Sequence, residues 1–198
     1  MIRKDYEVLR LSCCVVNNTF NNIYASFNPY EDFKADLSLF NSDNEKCIGM
    51  EVKSISTSYG SIKNNDYWST KSARGSKWRW CSSASTEEEF WNDETPAPDL
   101  GDKPIQLLNA TDKNGNRENA KLTKLLKDGC GLIYVAEDGL LLFSPKRLKE
   151  AIVGYGWVYL EHTKRLGDKS KRFEQKALID MSKGYFIPVN NVPKELLN

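Results

Sequence analysis

The chain has 198 residues, 40% of them hydrophobic and 11% aromatic, a composition that excludes intrinsic disorder and allows one domain with a sizeable core. Net charge is only +1, so no overall basicity advertises a polyanionic partner; residues 1–100 nevertheless carry 11 Lys and Arg against 15 Asp and Glu, and residues 101–198 carry 17 against 12. The cysteines Cys13, Cys14, Cys47, Cys81 and Cys130 form an odd set without a C-x-x-C pair, which argues against a disulfide framework or a zinc site and for a reducing, cytoplasmic setting.

Asp5, Glu7 and Arg10 interrupt the first apolar stretch, so it reads as neither a signal peptide nor a membrane span. Residues 4–17 predict a helix with Val8, Leu9, Leu11, Val15 and Val16 on its apolar side. Asn17, Asn18, Asn21 and Asn22 break that pattern, and Ile23 to Phe27 predicts a short strand. Ala35 to Phe40 alternates: Leu37 and Leu39 share one face, Asp36, Ser38 and Phe40 the other. The polar run 41–46 predicts a turn, and Cys47 to Ile55 the next strand, with Ile48, Met50 and Val52 opposite Gly49, Glu51 and Lys53.

Residues 58–115 predict an insertion with little regular structure, holding a basic-aromatic cluster (Arg74, Lys77, Trp78, Arg79, Trp80) and the acidic run 87–89. A helix is expected over 117–128, stopped by Gly129. Strands follow at 132–136 and 140–143 around a turn at 137–139, then a helix from Pro145 through Ile152. A strand at 156–161, a basic loop at 164–172 and the segments 177–183 and 185–189 complete the chain.

If the 41–46 turn closes an antiparallel hairpin with Phe40 opposite Cys47, then Asp36 lies opposite Glu51. Cross-strand partners have Cβ atoms about 5 Å apart on one face, and Lys53, two residues further, shares that face. Two adjacent carboxylates repel, and a hard divalent cation with oxygen ligands relieves the repulsion. The lysine also neutralises them, so a purely structural cluster is the alternative reading.

The text Ala35-Asp36-Leu37-Ser38-Leu39-Phe40 followed by Ile48-Gly49-Met50-Glu51-Val52-Lys53 resembles the PD-(D/E)XK nuclease superfamily, which includes restriction endonucleases and archaeal-type Holliday junction resolvases. Ala35 stands where the motif has proline. The Glu-x-Lys element alone has no weight, since Glu174-Gln175-Lys176 also fits it and Asp32-Phe33-Lys34 fits the Asp version; those two lack an upstream strand with an acid at hairpin distance.

The resemblance implies an α/β fold with a restriction-endonuclease-like mixed β-sheet flanked by helices. Residues 1–198 would form a single nuclease-like domain with an insertion over 58–115 after the third strand and a C-terminal extension over 140–198. It further implies a Mg²⁺- or Mn²⁺-dependent endonuclease that hydrolyses DNA phosphodiester bonds. In that role Asp36 and Glu51 bind the metal, Lys53 positions the attacking water, and Glu7 is a helix-borne acid that completes the site, although a first-turn helix acid is equally consistent for Glu7. DNA is the implied partner, and a homodimer the implied assembly.

Arg74, Lys77, Trp78 and Arg79 could grip a phosphate backbone and stack on bases, or sit on an amphipathic strand with tryptophans in the core. Lys164, Arg165, Lys171 and Arg172 read as DNA-backbone contacts or as a solvated loop. His162, the only histidine, has no motif around it. A catalytically inactive nuclease-fold protein that binds DNA or another protein is the rival reading.

Overall fold

The computed structural model describes residues 3–27, 35–55, 58–62, 88, 92, 100, 102–111, 120–163, 169–190 and 192. In chain order the elements are α1 (Arg3–Thr19), β1 (Ile23–Phe27), β2 (Leu37–Asn41), β3 (Lys46–Ser54), β4 (Ile105–Asn109) and α2 (Lys121–Lys127). They continue with β5 (Gly131–Ala136), β6 (Gly139–Phe143), α3 (Pro145–Ala151), β7 (Ile152–Thr163), β8 (Lys169–Asp180) and β9 (Tyr185–Pro188). The protein is mixed α/β, and its contacts divide it into two compact units.

The first unit comprises Met1–Ile62, Leu125–Ala151 and Ser182–Asn198. Its six-stranded sheet has the order β1-β2-β3-β5-β6-β9. Only β3 and β5 run parallel; every other neighbouring pair is antiparallel. A parallel pair needs a long crossover, here the whole stretch from Ile55 to Cys130. Strand β5 is central and buried along its length, which explains its continuous apolar sequence.

Helix α1 buries Val8, Leu9, Ser12, Cys13 and Val16, the spacing of one helical face. Val8, Leu9, Cys13 and Val16 share a core with Leu37, Met50, Val52, Ile133, Val135 and Leu140. Alternation along the strands therefore gives the sheet one face under α1 and another bearing Gly49, Glu51 and Lys53. Asn17, a pattern breaker in the sequence, has a specific task in the structure. Its side-chain amide donates to Ala25 O at 3.2 Å and accepts from Ala25 N at 2.6 Å. Strand β1 lies at the sheet edge, and Asn17 satisfies outward backbone groups that an edge strand otherwise exposes.

The second unit comprises Lys63–Lys124 and Ile152–Met181, and its three-stranded antiparallel sheet has the order β4-β8-β7. Two corrections to the sequence reading follow. Ile105–Asn109, inside the expected irregular insertion, is strand β4 paired with β8. Lys169 to Arg172, expected in a loop, open the twelve-residue strand β8, where Lys171 pairs with Glu161 and Arg172 with Leu160. The reason is physical. A strand of a long hairpin takes its hydrogen bonds from its partner, so charged residues enter it despite poor local propensity.

Candidate active site

The hairpin of β2 and β3 turns through residues that bond their own backbone. Asn41 Oδ1 accepts from Asp43 N at 2.9 Å, and Asn44 Oδ1 accepts from Lys46 N at 3.1 Å. Glu45 takes the left-handed conformation, φ 55°, that closes the turn. The register is the expected one, with Phe40 opposite Cys47 and Leu37 opposite Met50.

The ladder stops at Leu37, but β3 continues to Ser54. Val52 lies two residues past Met50, the last ladder partner of β2, so its N–H faces the side that β2 has left. The Asp36 carboxylate takes over there, with Oδ2 accepting from Val52 N at 2.8 Å. A charged acceptor makes a strong bond of this kind, and it fixes the orientation of the half-buried carboxylate. A carboxylate has about four lone-pair positions, so this bond does not exhaust Asp36 as a ligand.

Gly49 brings the chain into that position. A Cβ there would lie 2.8 Å from Ala35 Cβ and 3.0 Å from Cys130 Sγ. The missing side chain thus lets Ala35 pack over β3, in a small cluster with Leu125 and Cys130, immediately before Asp36.

Glu51 is 1% exposed. Its Oε1 lies 2.8 Å from Lys53 Nζ, and the Lys53 side chain is 44% exposed. The pair is thus asymmetric, with a sealed carboxylate and an ammonium that opens to solvent. Burial of a charge is costly without a cation nearby, and Lys53 provides one. The parallel register sets Tyr134 beside Lys53 and Leu132 beside Glu51. Tyr134 is 2% exposed and packs edge-on against Phe143, ring centroids 6.2 Å apart.

The structure thus pairs Glu51 with Lys53 and ties the Asp36 carboxylate to the backbone of Val52, the residue between them. Glu7 is half-buried on α1, where its neighbours Val8 and Leu9 pack into the core with Met50 and Val52. Among the described residues no three of His, Cys, Asp and Glu gather as a metal-binding group. Arg74, Lys77, Trp78, Arg79, Lys164 and Arg165 lie outside the described residues, as do the side chains of Lys171 and Arg172. The competing Glu174-Gln175-Lys176 motif runs along β8, where Lys176 bonds its cross-strand partner Asn109 through Oδ1.

Asp36, just before β2, and Glu51, on β3, would offer carboxylate oxygens alone to a cation. That set suits Mg²⁺ or Mn²⁺, which commonly bind through one or two carboxylates and retain several waters. It does not suit zinc held in a closed four-ligand site. No family model, curated protein or solved structure matches the chain.

Proposed function

We propose that the chain is a metal-dependent endonuclease of the restriction-endonuclease-like type, acting on DNA phosphodiester bonds. The observation that carries this reading is that Asp36 binds the backbone of Val52 at the frayed end of the β2–β3 ladder, between the ion-paired Glu51 and Lys53. Further support is the order along the chain: α1, the antiparallel strands β1 to β3 and, after β4 and α2, the strand β5 parallel to β3. Apart from β4, this is the sequence of elements that the resemblance implies.

In this reading Asp36 and Glu51 hold one Mg²⁺ or Mn²⁺. Such an ion supplies Lewis acidity at the phosphate and lowers the pKa of a bound water. Asp36 contributes a carboxylate whose orientation is fixed by Val52 N–H, and such preorganisation favours catalysis. Glu51 contributes buried negative charge, which interacts more strongly with a cation than an exposed carboxylate does. Lys53 is the member of the pair that solvent reaches; it orients the attacking water and offsets charge on the phosphate. The basic clusters at 74–79 and 164–172 are proposed backbone contacts, and a homodimer would supply one site per strand. The compartment proposed is the cytoplasm; among the described residues no helix is long and apolar enough to cross a membrane, and Cys13, Cys14, Cys47 and Cys130 form no disulfide.

A second reading has an observation of its own. The Lys53–Glu51 ion pair neutralises Glu51 without metal, as expected of a nuclease-fold protein that binds without cutting. Cleavage of labelled duplex, single-stranded, flap and junction DNA and of RNA, with Mg²⁺ or Mn²⁺, separates the two. The nuclease reading expects metal-dependent cutting that Lys53→Ala reduces by about 10²-fold or more, the scale of a lost electrostatic stabiliser. No cutting, or equal cutting by Lys53→Ala, favours the inactive protein.

A further inference from the structure

The sheet face under α1 carries a cavity of about 290 Å³, built entirely within the first unit. Its walls are apolar. Ile23, Leu39, Ile48 and Leu142 are only partly buried, although each packs against the core. Phe20 and Tyr185 close one side with their rings 5.7 Å apart. Met50 contributes to the floor, where Gly131 makes room: a Cβ on Gly131 would lie 2.6 Å from Met50 Sδ.

The charged side chains of the cavity are of one sign, Lys46 and Arg147. Asn41, Ser144 and the Tyr185 hydroxyl add neutral groups that can donate hydrogen bonds, and no acidic side chain lines the cavity. Lys46 and Arg147 are exposed, and Arg147 Nη1 donates to Lys183 O at 3.4 Å, which tethers the guanidinium. An apolar chamber with a few convergent polar groups is the usual build of a small-molecule site, and this volume lies at the lower end of that range. The two cations select for charge: with no anion beside them in the lining they attract an oxyanion and give a neutral apolar guest no extra hold.

We propose that this cavity binds a small amphipathic anion, an apolar chain or ring ending in one oxyanionic group, with the apolar part against Leu39, Ile48 and Leu142 and the oxyanion toward Lys46 and Arg147. At about 30 Å³ per water-sized group, the cavity takes a guest of roughly ten heavy atoms. The proposal is independent of the nuclease reading, because Glu51 and Lys53 alternate with Met50 and Val52 and so face the other way.

Isothermal titration of the full chain with sodium octanoate tests it, with octyl phosphate and octanol in parallel. Expected is saturable 1:1 binding of octanoate or octyl phosphate, at least about tenfold tighter than octanol. The tighter of the two anions identifies the head group. The double variant Lys46→Glu/Arg147→Glu, which alters exposed side chains and keeps its thermal midpoint, binds the anions about tenfold more weakly. Lys53→Ala binds them as the wild type does. Absence of saturable anion binding, octanol binding as tightly as the anions, or undiminished anion binding by the double variant overturns the proposal.

Discussion

Asp36 has two roles in this structure, and replacing it in two ways separates them. Asp36→Ala removes the acceptor of the Val52 N–H, a 2.8 Å bond at the end of the β2–β3 ladder. An unsatisfied backbone donor costs about 1–3 kcal/mol when buried. The half-buried site admits some water, so about 1–2 kcal/mol is expected. Asp36→Asn keeps an amide oxygen as acceptor, neutral rather than charged, and should cost under about 1 kcal/mol. Urea denaturation followed by circular dichroism measures both, with the slope unchanged if only stability has moved. Divalent cation binding and cleavage should be lost in both variants, because an amide is a poor substitute for a carboxylate on a hard cation. Equal destabilisation by Asn and Ala would refute the hydrogen-bond argument. An Asp36→Asn variant with wild-type metal affinity would refute the ligand assignment.

Other perturbations have clear expectations. Lys53→Met keeps the aliphatic stem but strips Glu51 of the ammonium 2.8 Å away; a loss of about 1–3 kcal/mol is expected, between the values for exposed and buried pairs, and a double-mutant cycle with Glu51→Gln should return a coupling energy of that sign. Gly49→Val forces a side chain into Ala35 and Cys130 and should cost about 1–3 kcal/mol by overpacking, with metal binding reduced because Asp36 is displaced. Leu37→Ala, at a fully buried position, should cost about 2–5 kcal/mol, read from the same urea curves. Burial, with a smaller contribution from Cys14, pushes the Cys13 thiol up from 9.0 to about 11. Its contribution to stability is complete below pH 9 and is lost as pH rises toward 11, because the unfolded chain ionises first. Iodoacetamide at pH 8 should therefore modify the exposed Cys14 and Cys47 and spare Cys13, which peptide mass spectrometry checks.

The first unit was largely legible in the sequence because its signals are local. Leu37 and Leu39 alternate with Asp36 and Ser38, and the polar run 41–46 has a length that leaves little choice of register, so Asp36 and Glu51 could be paired on paper. The apolar run at 132–136 announced a buried strand. Other features depended on partners distant in the chain. Ile105–Asn109 becomes a strand only through β8, some seventy residues on. Lys169 to Arg172 carry no strand pattern of their own and follow their hairpin partner. The clasp of Asn17 on Ala25 and the bond from Val52 N to Asp36 are tertiary hydrogen bonds with no periodic trace. Glu7 was singled out by motif order alone, which carries no information on side-chain contacts.

The central claim is that Asp36 and Glu51 hold one divalent cation. Calorimetric titration of the chain with Mn²⁺, comparing the wild type with Glu51→Gln, tests it most directly. Glu51→Gln also leaves Lys53 without its anion, so its fold is checked by circular dichroism first. The expected result is one Mn²⁺ bound per chain, abolished in a folded Glu51→Gln variant. Absence of binding by the wild type, or unchanged binding by Glu51→Gln, would contradict the claim and leave Glu51 and Lys53 as a structural ion pair.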